Sequence, residues 1–287
     1  MKFIITGTSG YIGSQLSTHL RNGGHLVFEI NRNLNLQYKD IYSIYSLSEI
    51  ITKEDPDVII HLASLFRVEH SPNDINKLIE ANITIGTNLL EAMRLSNCKK
   101  IITTGSSWEY YNSNEYLPVN LYSATKHAFH NISKYYVEAH DINLINLVLY
   151  DTYGPLDKRN KLIPMLVKSV YENLPLNLSI GTQKLYLTHI KDICLAFESA
   201  ALILMHSRKN NLSRYSVRDQ IPIQIKHIVK IITSFNNSYS ASVTFGATKE
   251  RQREIFEPSV RNDILPEWNP SIGLYEGLKM TYDNYGN

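Results

Sequence analysis

At 287 residues the chain has room for one large domain or two, and 43% hydrophobic with 20% charged residues describes an ordinary globular protein, not a disordered or low-complexity one. A formal net charge of +2, from 29 Lys+Arg against 27 Asp+Glu, lacks the basic excess of a protein built to bind nucleic acid. Two cysteines, Cys98 and Cys194, exclude a disulfide framework and a cysteine-based zinc site, so no metal is expected. Residues 2–6 read as a buried strand that stops at glycine; structure this early leaves no room for a leader, and a cytoplasmic location is expected. Residues 11–22 are helical, with Ile12, Leu16 and Leu20 at i, i+4 and i+8, and Gly23-Gly24 ends the helix. A second strand follows at 25–30, a helix at 46–52 and a third strand, DVIIHL, at 57–62. Residues 76–95 form a long helix, 100–104 a strand, 122–140 a helix and 144–150 a strand. Strands apolar throughout and alternating with helices predict an α/β fold, a doubly wound parallel (Rossmann) sheet covered on both faces.

Beyond Gly154-Pro155 the alternation loosens. Helices are predicted at 162–173, 192–205, 225–235 and 271–281, and strands at 185–189 and 242–245. This half reads as a smaller C-terminal substrate lobe. The expected division is 1–152 for a cofactor-binding domain, with a returning segment near 185–208, and 153–287 for the lobe. No apolar run reaches the ~20 residues of a membrane-spanning helix, so no membrane partner is expected.

The segment TGTSGYIGS, 6–14, sets Gly7, Gly10 and Gly13 between the first strand and the first helix. The first glycine permits a tight turn, the second lets backbone approach a pyrophosphate, and the third lets helix pack on strand. Tyr11, Ile12 and Gly13 open the helix, whose free N–H groups and positive dipole end suit phosphates. The spacing is G-x-x-G-x-x-G, not the commoner G-x-G-x-x-G of dinucleotide folds. An acidic residue closing the second strand would bond a ribose 2′-hydroxyl and select NAD. Here Asn31 and Arg32 stand there: Asn31 repels no 2′-phosphate, and the Arg32 guanidinium can grip one, which points to NADP(H). The alternative for Arg32 is a solvated loop arginine. Asp40 and Ile41, after the next short extended stretch, are placed to meet adenine.

Tyr122-Ser-Ala-Thr-Lys126 is a Y-x-x-x-K motif at a helix start, and its i, i+4 spacing stacks both side chains on one face. The neighbouring ammonium is expected to lower the tyrosine pKa and make the pair a tunable acid/base.

With that pair the chain resembles the extended short-chain dehydrogenase/reductases of the NAD(P)-dependent epimerase/dehydratase, or nucleotide-sugar, family. The matching pieces come in family order along nearly the whole length: TGTSGYIGS at 6–14, DVIIHLAS at 57–64, ANITIGTNLLEA at 81–92, TTGSSWEYY at 103–111, YSATK at 122–126, LVLYDTYGP at 147–155, YLTHIKDICLAF at 186–197 and NPSIGLYEGLKMT at 269–281. The resemblance implies that Leu62, Ala63 and Ser64 line the cofactor and that Tyr150 contacts nicotinamide. It implies that Lys126 holds the nicotinamide ribose and that Tyr122 is the acid/base. The third catalytic member is Ser106, counted back from Tyr110, with Ser107 as the alternative. A homodimer joined through the helix carrying Y-x-x-x-K and its neighbour is implied as well.

Family members share a hydride step and differ in the chemistry after it. The 4,6-dehydratases place acids directly after the catalytic Ser/Thr, where this chain has Ser107 and Trp108; Glu109, three residues on, faces differently. A 4-epimerase retains its cofactor, usually NAD, which fits Asn31-Arg32 less well than an exchangeable NADPH does. A brief loop from Tyr111 to Leu121 and a minimal lobe resemble the 4-ketoreductases that finish deoxysugar nucleotides, such as CDP-paratose, CDP-abequose or CDP-ascarylose synthases. The implied substrate is a nucleotide-linked 4-keto deoxyhexose for O-antigen lipopolysaccharide. Its diphosphate needs cations: Arg251 is placed where the family carries an arginine, Arg253 is the alternative, and Arg67 is within reach of the sugar. A solvated charge run remains the other reading of 249–253. His61, inside an apolar strand, reads as a structural histidine, and His189 is ambiguous. A non-catalytic NADP-binding regulator is the alternative of another class, although Tyr122 and Lys126 are both present.

Overall fold

Phe3, Ile4 and Ile5 of the first strand are all fully buried, because β1 (Lys2–Thr6) runs up the inside of a sheet flanked on both sides. The structure, a computed structural model, describes residues 1–31, 40–113, 115–207 and 211–285. After β1 come α1 (Tyr11–Asn22), β2 (Leu26–Ile30), α2 (Ile44–Glu54), β3 (Val58–His61), α3 (Ile75–Ile79), α4 (Ile85–Arg94), β4 (Lys100–Ser106), α5 (Leu121–His140) and β5 (Asn143–Leu149). The second half adds β6 (Asp151–Tyr153), α6 (Leu162–Tyr171), β7 (Leu176–Leu178), β8 (Lys184–Leu185), β9 (Leu187–His189) and α7 (Ile190–His206). It ends with β10 (Leu212–Val217), β11 (Ile223–Gln224), α8 (Ile225–Thr233), β12 (Val243–Phe245) and α9 (Leu274–Asp283).

Six parallel strands form the sheet in the order β10-β5-β4-β3-β1-β2. The period-2 alternation of strands splits the core into two layers. Phe3, Ile5, Ile60, Ile102 and Leu147 pack with Leu16 and Phe197, under α1 and α7. Ile4, Ile59, Ile101 and Leu144 pack with Leu89 and Phe129, under α4 and α5. This is the doubly wound α/β architecture expected from the alternation. The connections reverse direction between β1 and β3, the topological switch point at which ligands bind in such sheets. A third apolar cluster, with Leu166, Val170, Ile228, Ile232 and Leu278, makes the smaller lobe from α6, α8 and α9. Among the described residues no helix is long and apolar enough to cross a membrane.

Besides the short strands β6, β7 and β11, which the sequence reading did not contain, three local features depart from it. The sixth strand, β10, has no counterpart in it, because Ser213, Arg214 and Ser216 break the apolar run; full pairing along β5 supplies what the pattern lacks. The helix expected at 76–95 is interrupted by a π-helical turn, Glu80–Thr84, around the buried Asn82. Asn82 Nδ2 donates to the Leu65 carbonyl (3.1 Å) and to Thr125 Oγ1 (2.9 Å), and Oδ1 accepts from Leu65 N (2.7 Å); those tertiary bonds account for the local widening. The strand expected at 185–189 is two, because Tyr186 turns between partners: β8 pairs with β11, and β9 with β6.

The lobe is tied back to the Rossmann layers by Asp192, in the first turn of α7 and fully buried. Its carboxylate accepts from Ser271 N (2.9 Å), Ser271 Oγ (2.7 Å) and Ile272 N (3.1 Å), while its carbonyl accepts from Trp268 Nε1 (2.9 Å).

Candidate active site

The glycine turn is shaped by close approach. Gly7 has φ +78°, and a Cβ there would lie 2.5 Å from Ala63 N, so only glycine lets β1 pass β3 at the switch point. Thr6 Oγ1 accepts from Leu62 N and Ala63 N (3.2 Å each) and bonds His61 Nδ1 (2.8 Å). His61 is thereby a packed structural group, and burial pushes its pKa down to about 3, so the ring stays neutral. Gly10 caps α1 without any side-chain bond, and the first turn of this 12-residue helix holds no acidic residue. Its N–H groups at Tyr11, Ile12 and Gly13 meet no side-chain cap, the state in which a helix end receives a phosphate.

Around this turn, Asn31 Nδ2 donates to Thr8 Oγ1 (3.2 Å), and the Tyr11 hydroxyl donates to the Pro155 carbonyl (3.1 Å) with the Arg159 guanidinium 4.5 Å over its ring. Asp40 is exposed and accepts from Tyr42 N (3.0 Å), whereas the Ile41 side chain is buried in the core beneath α2 and leaves only backbone for a ligand. Arg32 lies outside the described residues. The arrangement fits a dinucleotide: a helix end that no side chain caps, at the switch point, beneath a turn in which Gly7 leaves no room for a Cβ.

α5 begins at Asn120, whose side chain accepts from Ser123 N (3.0 Å) and donates to the Arg67 and Val68 carbonyls (3.1 and 2.9 Å). This cap pins the loop after β3 against the helix start, and Tyr122 and Lys126 follow one turn apart. Lys126 is buried, and Nζ donates to Thr104 Oγ1 (3.0 Å), leaving two of its donors for a ligand. Burial brings its pKa down to about 8, with the Glu109 charge raising it and Arg214 lowering it. Tyr122 moves the other way from the sequence expectation. Burial and then the Glu109 charge push it up to about 12, only partly offset by the Ser64 hydroxyl beside it and by Arg159. Lys126, whose ammonium donates to Thr104, is not among the groups that lower it.

Ser106 closes β4. Its Oγ accepts from Trp108 N (3.2 Å), and its backbone N donates to Glu109 Oε1 (2.9 Å), a reciprocal cap around the turn Ser107–Glu109. Ser107 is half-buried in the same turn. Glu109 is fully buried: burial alone would raise its pKa, but bonds from His127 Nδ1 (2.8 Å), Arg214 (2.6 Å) and Ser106 N hold it below the usual carboxylate range.

Sequence reasoning named Arg251 but missed Phe66, Trp108, Lys161 and Asp151 around it as walls of the site. The Phe66 ring stands edge-on to Tyr122 (5.0 Å) and lies 5.7 Å from Trp108; Lys161 Nζ lies 5.0 Å over Phe66, and the Arg251 guanidinium 5.2 Å over Trp108. Asp151 sits among Lys161, Arg251 and Arg159, and burial raises its pKa against their opposing charges. Asp151 and Trp108 lie within the LVLYDTYGP and TTGSSWEYY segments; Phe66 and Lys161 carry no local signal, since only the tertiary fold brings them to the site. A cavity of about 380 Å³ opens beside this wall, lined by Val68, Trp108, Asn120, Leu121 and Arg251 among others.

Other expected residues make contacts of their own. Arg253 donates to the Pro118 carbonyl, lies 5.4 Å over Tyr111 and lines the same cavity. Arg67 is exposed and pairs with Asp74 at 3.5 Å. Tyr150 is buried against Tyr186, and its hydroxyl donates to the Ser259 carbonyl (2.9 Å). His189 caps α7, its Nδ1 accepting from Lys191 N (3.3 Å), and burial pushes its pKa down to about 4.

Residues 3–212 match the model of the NAD dependent epimerase/dehydratase family. The chain is 29% identical over 271 residues to CDP-abequose synthase of Yersinia pseudotuberculosis, covering 91% of this chain and 93% of that protein. It is 24% identical to UDP-glucuronate 4-epimerase of Thermodesulfobacterium geofontis, covering 97% and 94%. Among solved structures, UDP-glucuronic acid 4-epimerase from Bacillus cereus, in complex with UDP-glucuronic acid and NAD, superposes with a TM-score of 0.80 at 22% identity, covering 99% of this chain and 98% of that one. With the family model spanning five of the six sheet strands, the glycine turn and the Tyr122–Lys126 pair, this chain belongs to the NAD dependent epimerase/dehydratase family.

Proposed function

We propose that the chain is an NADPH-dependent 4-ketoreductase of a nucleotide-linked deoxyhexose, working in the cytoplasm as a homodimer in O-antigen sugar synthesis. The observation that carries this reading is the make-up of the site: a Tyr122–Lys126 pair whose tyrosine can give a proton to a carbonyl oxygen, beside a Ser106 whose acidic neighbour, Glu109, is engaged by Arg214 and His127. Elimination of water needs an acid next to the catalytic hydroxyl, and Glu109 is fully buried and engaged by Arg214 and His127. The near full-length likeness to CDP-abequose synthase supports the substrate class.

A bound nicotinamide would supply hydride to the C4 carbonyl carbon. Tyr122 gives its proton to the carbonyl oxygen as negative charge develops there, and Ser106 donates a hydrogen bond to the same oxygen. Lys126, with two N–H groups beyond its Thr104 bond, holds the nicotinamide ribose. Leu62, Ala63 and the α1 end hold the rest of the dinucleotide. Lys161, Arg159 and Arg251 face the substrate diphosphate, and Phe66 and Trp108 wall the sugar.

Arg251→Ala is expected to raise KM for the sugar nucleotide far more than it lowers turnover, because diphosphate contacts act in the ground state and transition state alike. Steady-state kinetics checks this, and an unchanged KM would transfer the role to Lys161 or Arg159. Cofactor choice has its own test. A charge-assisted bond from Arg32 to a 2′-phosphate is worth roughly 1.5–3 kcal/mol. Arg32→Ala should then weaken NADPH by about 10- to 100-fold and leave NADH nearly unchanged, at about tenfold per 1.4 kcal/mol. Titration of both cofactors checks it, and equal losses would make Arg32 structural.

A further inference from the structure

Ser106 has more holding it in place than a capped turn requires. Its hydroxyl oxygen accepts backbone N–H groups of the turn, with Trp108 N at 3.2 Å, so its acceptor capacity is taken up and its own proton is left to donate. The backbone of Ser106 is fixed in turn by Glu109 Oε1 at 2.9 Å. Glu109 is anchored from two other elements: His127, next to Lys126 on α5, at 2.8 Å, and Arg214 on β10 at 2.6 Å. Tyr116 stacks on the far face of His127 at 3.9 Å. Gly105 leaves the space this cluster occupies: a Cβ there would come within 2.7 Å of Asn146 Oδ1, 2.8 Å of the Arg214 guanidinium and 3.0 Å of Glu109 Oε1.

We propose that Glu109 is a positioning residue that fixes Ser106 as a hydrogen-bond donor toward the substrate carbonyl oxygen, and that Arg214 and His127 hold Glu109 in that role. The inference rests on the ketoreductase reading for its kinetic arm only. Glu109 touches no substrate; it acts through Ser106. The strand that carries Arg214 thereby becomes part of the catalytic support, across β4, β10 and α5.

Two paired variants isolate the acceptor. Glu109→Gln with Arg214→Met keeps an oxygen facing Ser106 N and leaves no unpaired buried charge. Glu109→Leu with Arg214→Met fills similar volume with apolar groups and removes the acceptor, a replacement of a buried ion pair that folded chains commonly tolerate. Crystal structures of both give the first readout. The Gln pair is expected to keep the Ser106 Oγ to Trp108 N bond, and the Leu pair to lose it. The second readout is turnover of a 4-keto nucleotide sugar. The Gln pair should stay within about threefold of wild type, and the Leu pair should lose on the order of 10- to 100-fold in kcat with KM little changed, short of the 10²–10³ loss typical of deleting an oxyanion donor outright. Ser106→Ala should then cost much less in the Leu-pair background than in wild type, since the two changes share one effect. An unmoved Ser106 in the Leu pair, or a Ser106→Ala cost equal in both backgrounds, overturns the proposal. A wild-type chain inert to every keto sugar would sink the ketoreductase reading instead, and the crystallographic readout would still decide the role of Glu109.

Discussion

Tyr122→Phe is expected to lower turnover of a 4-keto nucleotide sugar by a factor on the order of 10²–10⁴, the range for removing a general acid, with NADPH affinity unchanged. The phenyl ring keeps the edge-on contact with Phe66 at 5.0 Å, so the walls of the site stay in place. What disappears is the Tyr122 proton; Ser106 still donates a hydrogen bond to the same oxygen but is too weak an acid to replace it. Lys126 lies one turn away with one N–H on Thr104 and its others assigned to the nicotinamide ribose, while the buried acid Glu109 is ionised and held by Arg214 and His127. Single-turnover kinetics with prebound NADPH separates the chemical step from cofactor binding. Wild-type turnover in the variant would remove Tyr122 from the mechanism.

Asp192→Ala is expected to lower folding stability by at least about 3 kcal/mol, from about 1–3 kcal/mol for each of the donors left without an acceptor inside the protein. The Ser271 N–H, its hydroxyl and the Ile272 N–H all lose their partner, and they are the points where the C-terminal segment meets α7. A carboxylate in the first turn of α7 also complements the helix dipole. Asp192→Asn, which keeps one acceptor oxygen, should lose about half as much. Urea unfolding checks both: the midpoint should fall with the slope unchanged. A midpoint equal to wild type would show that the segment is held by its apolar contacts, Leu265 and Trp268, and not by this carboxylate.

The sheet was legible in the sequence because its inner strands are apolar on both faces and each ends in a turn residue. Phe3, Ile4 and Ile5 need no partner information to be read as buried. β10 was not legible for the opposite reason: Arg214 inside it is paired with Glu109, a residue 105 positions away, so a charged strand is stabilised by a contact that no local pattern encodes. The same limit explains the site. The glycine turn and the Tyr122–Lys126 spacing are local, and both were visible. The direction of the Tyr122 pKa was not, since it depends on burial and on the Glu109 charge delivered by another element. Arg251 and Arg253 look alike in sequence; the fold separates them by turning one over Trp108 and binding the other to the Pro118 carbonyl.

The central claim is net reduction of a sugar carbonyl, and the most direct measurement tracks NADPH absorbance with a panel of 4-keto nucleotide sugars, with NMR of the product. The expected result is one NADPH consumed per sugar and a 4-hydroxy product of single configuration. Interconversion of 4-hydroxy sugars without net NADPH consumption would contradict it and establish a 4-epimerase. A chain that binds NADPH and leaves every sugar of the panel unchanged would contradict it in favour of a cofactor-binding regulator.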